Sequence, residues 1–150
     1  MKKRSFRGLL LAVVLLLTVA AAVFHLSTRK TVLEGYIQLT YAGKETTIAL
    51  SDFRLYPVQG TIINGKGEQR TVDAEGIAVA DVLEFAGITD FTRLTVTAED
   101  AYHADLTAAE AEDTSNTYFI LQETGGVQLI VFCDSNSKRC VSDVVLVEEE

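Results

Sequence analysis

The chain has 150 residues, 13 Lys/Arg, 21 Asp/Glu and a formal net charge of −8. The charge is unevenly spread. Residues 1–30 carry six Lys/Arg and no acid, whereas residues 31–150 carry seven Lys/Arg against all 21 Asp/Glu, leaving −14. So acidic a segment argues against nucleic acid as a partner, because phosphate binding needs clustered Lys/Arg. At roughly 120 residues it is long enough for one domain with its own core.

The chain begins MKKRSFRG, placing Lys2, Lys3, Arg4 and Arg7 directly before an apolar run from Leu9 to Leu26 broken only by Thr18 and His25. Such a run, at about 1.5 Å rise per residue, sits near the lower limit for crossing roughly 30 Å of hydrocarbon. Only Arg29 and Lys30 follow it, and the Lys/Arg bias keeps the N-terminus inside. The expectation is a basic cytoplasmic start, an anchor at about residues 9–26 and a stalk within residues 1–30. Residues 31–150 then form an extracytoplasmic domain of a single-pass cell-membrane protein. Ala20-Ala21-Ala22 also offers a small-residue cleavage site, as a secretory signal would. Bulky Val23, Phe24 and Leu26 prolong the run beyond it, which favours an uncleaved anchor.

Within the acidic part, Val32 to Tyr41 alternates imperfectly and Glu45 to Leu50 returns after Ala42-Gly43-Lys44, predicting a β-hairpin. Ser51-Asp52 is expected to cap a short turn of helix before Tyr56-Pro57. Val58 to Ile63 and Glu68 to Val72 flank Asn64-Gly65-Lys66-Gly67, a second hairpin signalled by Asn-Gly. Val79, Val82, Leu83 and Ala86 fall at helical spacing, and Gly87 supplies a left-handed stop. Leu94 to Ala98 predicts a strand and Tyr102 to Leu106 a shorter one. Thr107-Ala108-Ala109-Glu110 has capping-box spacing, so a short helix is expected there. Tyr118 to Gln122, Val127 to Phe132 and Val141 to Val147 complete a strand-rich half, with Gly125-Gly126 as a turn. Strands and helices do not alternate regularly. The expected fold class is therefore α+β, a mostly antiparallel or mixed sheet with one main and one or two short helices. The tail Glu148-Glu149-Glu150 reads as a solvated end.

Glu75 to Ile88 (EGIAVADVLEFAGI) resembles the Gly-Val-x-Leu-x-Asp-Leu-Leu-x-x-Ala-Gly segment of sulfite-oxidase-type molybdopterin-binding domains. Leu94 to Tyr102 looks like that family's strand leading into Asp-Gly-Tyr, and Val141 to Val147 is similar to its closing strand. The resemblance covers about Ser51 to Val147. It implies the family's fold, and it implies Asp100, Tyr102 and Arg70 as cofactor-binding candidates. The residues' own chemistry also gives structural readings. Asp81 is solvated, Asp100 accepts backbone N–H bonds in a turn, and Tyr102 places its ring in the core with its hydroxyl near the surface. His103 is a surface or turn residue.

Three departures weigh against catalysis. Relatives ligate molybdenum with a Cys thiolate upstream of the helix, and Val58 to Val72 contains no Cys. Cations for the cofactor phosphate are sparse, with Arg54, Lys66, Arg70 and Arg93 as candidates. Ala101 stands where the family has Gly. If that position has positive φ, Ala costs on the order of 1 kcal/mol or reshapes the turn.

Cys133 and Cys140 flank a polar, turn-rich stretch between two β-like runs. In an oxidising compartment the pair is expected to form a disulfide; two free thiols and redox chemistry are the alternatives. No nucleophile–base pair or zinc-ligand spacing is present in the sequence. The expected activity is a membrane-anchored, non-catalytic domain that binds a protein partner or small ligand and holds no cofactor. The alternative is a molybdopterin-dependent oxidoreductase or an accessory of a membrane electron-transfer system.

Overall fold

The computed structural model describes residues 14–20, 35–64, 66–134 and 137–150. The chain divides into two units, Met1–Thr31 and Val32–Glu150. In the first, residues 14–20 are helical and exposed, and the rest of the expected anchor lies outside the described residues. Among the described residues no helix is long and apolar enough to cross a membrane.

Among the described residues, the second unit is an α+β domain of nine strands in two sheets, with two short α-helices. The first sheet has the order β2 (Lys44–Ala49), β1 (Tyr36–Tyr41), β9 (Val144–Glu149), β5 (Arg93–Ala98), β6 (His103–Thr107). The second has the order β3 (Tyr56–Ile63), β4 (Gln69–Ala78), β7 (Thr117–Leu121), β8 (Val127–Val131). Helix α1 (Val79–Ala86) follows β4 directly and α2 (Ala108–Ala111) follows β6 directly. All strand pairs are antiparallel except β1 with β9, where Gln38 faces Leu146 in parallel. The C-terminal strand inserts between the N-terminal hairpin and the β5–β6 pair, closing the first sheet.

The tail is accordingly part of the sheet rather than a solvated end. Glu148 and Glu149 pair with Thr95 and Leu94, and the Glu149 carboxylate accepts the Ala42 N–H at 2.8 Å. Ladder hydrogen bonds hold backbone whatever charge the side chains carry, so three adjacent acids do not by themselves predict a loose end.

Alternation decides which residues go inside. Ile37, Leu39, Val96 and Leu106 of the first sheet meet Ile77, Phe119, Leu129 and Val131 of the second in the main core. Helix α1 closes one side of it with Val79, Val82 and Leu83, the stripe that its spacing predicted. The opposite face of the second sheet carries a smaller cluster of Val58, Ile62, Val72, Ile120 and Ile130. Phe132 packs there against Gly60, where a Cβ would stand only 2.5 Å from the ring. Glycine at this site is what allows the ring to close over the cluster.

Local signals account for the boundaries. Gly87 adopts φ 72, and the N–H groups of Gly87 and Ile88 bond the carbonyls of Glu84 and Leu83. That satisfies helix-end acceptors that would otherwise lack partners. Thr107 and Glu110 form the predicted capping box. The expected cap by Ser51-Asp52 is not formed. The 3₁₀ turn runs Leu50–Asp52, so both residues lie inside it, and Ala49 precedes it with no side-chain cap. Leu50 is fully buried, so core packing rather than capping sets this turn. The hairpin expected of Val58 to Ile63 and Glu68 to Val72 forms but is longer, pairing from Tyr56↔Gly76 to Ile63↔Gln69 with β4 running on to Ala78, and Gly65 itself lies outside the described residues.

Candidate functional site

The residues first singled out occupy separate places. Asp100 sits in the β5–β6 turn, where its Oδ1 accepts the Tyr102 N–H at 3.0 Å, the local role expected of it. The Tyr102 ring is not in the core: the residue is 46% exposed, and its hydroxyl donates to the Lys138 carbonyl. The reason lies in the hydroxyl, which finds its acceptor in the surface turn at Ser137–Arg139. Ala101 between them has φ 67, the left-handed conformation that glycine would adopt without cost. Asp81 is exposed, and His103 is exposed at the start of β6.

Arg70 lies on β4 in the other sheet, opposite Ile62 and exposed. Arg54 stacks 5.4 Å from the Tyr56 ring centroid, Arg93 pairs with Glu150 at 3.4 Å, and Lys66 sits in the β3–β4 turn. Among the described residues none of the four is shown hydrogen-bonded or ion-paired to Asp100 or Tyr102. An anionic cofactor phosphate needs convergent charge-assisted donors.

The Cys133–Cys140 loop is held by a different device. Arg139 donates to both carboxylate oxygens of Asp134, and from another nitrogen to Glu110. Glu110 thereby joins the capping box of α2 to the loop. The Arg139 guanidinium, together with the Thr107 N–H, pulls the Glu110 carboxyl from 4.5 to about 2. Its two carboxylate partners push the Arg139 pKa up, with the Asp134 hydrogen bonds the larger cause.

Both cysteines are free thiols in the structure. Cys133, at φ 65, is exposed and points its sulfur at Asn116 Oδ1, 3.1 Å away. Cys140 packs against the smaller cluster. Burial pushes its pKa up, and nearby Asp134 adds to this. No bond joins the two sulfurs in the structure, where Cys133 faces Asn116 and Cys140 packs against the smaller cluster.

An open cleft lies at the C-terminal end of α1, with a volume of about 190 Å³. Leu83, Ile88, Phe91 and Ala80 line its apolar part, and Glu84 and Glu112 supply carboxylates. Leu83 and Ile88 also belong to the main core, so the cleft floor is rigid. On another face of α1, Phe85 is 65% exposed and meets Phe53 edge-on at 4.9 Å between centroids. Sequence reasoning assigned α1 its inward stripe but missed this surface. Phe85 lies off the apolar stripe, and an aromatic there was the available signal. Glu112 carried none, because only the fold brings the end of α2 beside α1.

The fold and site thus define an α+β two-sheet domain with a small, acid-lined surface cleft. No protein-family model matches the chain, and no curated protein matches it significantly.

Proposed function

We propose that the chain is a membrane-tethered, extracytoplasmic binding module without catalysis of its own. The observation that supports this reading is that, among the described residues, none of Arg54, Lys66, Arg70 and Arg93 is shown paired with Asp100 or Tyr102, while Arg54 stacks on Tyr56 and Arg93 pairs with Glu150. The small open cleft beside α1, lined by apolar side chains and two carboxylates, supports recognition rather than group transfer. The tether rests on the four cations before the apolar run Leu9 to Leu26. A shape inherited from sulfite-oxidase-type domains is part of the proposal, and it rests on the order of the Gly76–Gly87, Leu94–Tyr102 and Val141–Val147 segments.

The test uses full-length protein in its native membrane. Protease added to sealed, right-side-out vesicles should digest residues 31–150, and the purified chain should carry neither molybdenum nor pterin fluorescence. Protection of the domain would refute the topology; stoichiometric metal or pterin would refute the non-catalytic reading.

A further inference from the structure

Resting on the reading of the domain as membrane-tethered, we infer that the surface around its chain entry docks on the membrane itself, seating Tyr36, Tyr56, Phe85 and Leu121 in the interfacial layer of a zwitterionic bilayer. Among the described residues of the domain, the exposed large hydrophobic side chains are Tyr36, Tyr56, Phe85, Tyr102 and Leu121, with Phe85 at 65% and Tyr56 at 52%. All but Tyr102 trace back to Gly35, the first described residue of the domain. Tyr36 follows it directly. Leu121 packs beside it, so that a Cβ on Gly35 would stand 3.6 Å from Leu121 Cδ1. Tyr56 heads the row Tyr56, Gly76, Ile120 across β3, β4 and β7, which ends one residue short of Leu121. The Gly35 carbonyl accepts the Leu50 N–H at 2.7 Å, which sets the 3₁₀ turn Leu50–Asp52 beside it. Phe53, the next residue, makes the edge-on contact with Phe85. Gly35 is buried and donates its N–H to the Gly125 carbonyl at 2.7 Å, so the entry point belongs to the fold.

The tether names the occupant. Ser27 to Glu34 separate the apolar run from Gly35, and even fully extended they reach no more than about 30 Å. The headgroup layer takes up about 5–8 Å of that. A domain of roughly 120 residues is about 35 Å across. The remaining reach is shorter than the domain, so the entry side is the one that meets the bilayer. Aromatic rings favour the boundary between headgroups and acyl chains, where the ring is buried and a phenol hydroxyl stays wet. Tyr36 and Tyr56 have that chemistry, and Arg54, stacked on the Tyr56 ring, offers a guanidinium to lipid phosphate. Exposed acids neighbour these side chains along the chain or the ladder, namely Asp52, Glu75, Glu84 and Glu123. With −14 over residues 31–150, they disfavour an anionic headgroup and a second copy alike.

The chain contains no Trp, so a single introduced Trp reports one place. The experiment reconstitutes the full chain in phosphatidylcholine vesicles, with or without phosphatidylcholine brominated on its acyl chains. Phe85→Trp and Tyr56→Trp are the reporters. Lys44→Trp is the reference, exposed at the hairpin end where Lys44 pairs with Tyr41, the far end of β1 from Gly35. Circular dichroism should show all three folded as the parent chain. Both reporters should emit at shorter wavelength than the reference, and brominated lipid should quench them several-fold more. Adding phosphatidylglycerol should reduce that quenching. Reporters quenched no more than Lys44→Trp would overturn the inference. So would a blue shift without bromine quenching, since protein then covers the patch, or quenching that grows with anionic lipid. Unquenched reporters on a chain whose intact mass retains residues 1–30 and whose domain is digestible remove this inference only; loss of residues 1–30, or a protected domain, removes the tether reading beneath it.

Discussion

Replacing Ala101 by glycine should stabilise the domain. Ala101 has φ 67 in the β5–β6 turn, where an L-residue costs about 1–2 kcal/mol. Glycine removes that cost but loosens the unfolded chain, which takes back about 0.4–1 kcal/mol. The methyl group is exposed, so no packing is lost. The turn's own bonds survive, namely Ala101 N–H to the Ala98 carbonyl at 3.0 Å and Tyr102 N–H to Asp100 Oδ1 at 3.0 Å. The net gain is about 0.5–1 kcal/mol, or roughly 2–4 °C in Tm for a domain of this size. The same change at Ala108 in helix α2 is the internal control and should cost about 1 kcal/mol, because there glycine only adds disorder to be lost. Thermal unfolding of both variants followed by circular dichroism reads out the two signs. If Ala101→Gly and Ala108→Gly shift Tm in the same direction, the conformational argument fails.

Other predictions concern the loop clamp, the small cluster and the thiols. Glu110→Gln should destabilise the domain by about 1–2 kcal/mol at neutral pH, a figure that allows for solvent screening of a pair more than a third exposed on the Glu110 side. Because the Glu110 carboxyl is depressed from 4.5 to about 2, its contribution is full above pH 4.5 and disappears as pH falls toward 2. The Tm gap between Glu110→Gln and the parent chain should close over that window; a gap unchanged from pH 6 to pH 2 contradicts the ion-pair assignment. Gly60→Ala should cost about 1–3 kcal/mol by driving a methyl into the Phe132 ring, and Phe132→Leu in the same chain should recover part of it. Chemical denaturation of the single and double variants tests that coupling. With iodoacetamide near pH 8, Cys133 should alkylate first, since Cys140 is partly buried and its pKa is raised by that burial. Peptide mapping that finds Cys140 modified first would count against the placement of both sulfurs.

Local chemistry was readable wherever one short segment decides its own conformation. The α1 stripe of Val79, Val82 and Leu83, the Gly87 stop and the Thr107–Glu110 capping box all involve partners within about a turn or two, and the folded domain contains them as expected. Alternation likewise placed most strands, because a period of two needs no knowledge of the neighbouring strand. The parallel insertion of β9 beside β1 could not be seen this way, since it joins residues about a hundred positions apart. The same long-range pairing drew Glu148 and Glu149 into a strand.

Site residues follow the same division. Composition and charge order, read from residues 1–30 against residues 31–150, already divide the chain into a basic, apolar start and an acidic remainder. Asp100 was legible because its hydrogen bond closes within two residues. Tyr102 was not, because its acceptor at Lys138 lies 36 residues away. Arg70 lies on β4, in a different sheet from the β5–β6 turn, and that assignment is fixed only by how the strands are ordered. Glu112 and Glu84 meet at one cleft for the reciprocal reason: packing sets the end of α2 beside α1, and no pattern along the chain encodes that proximity.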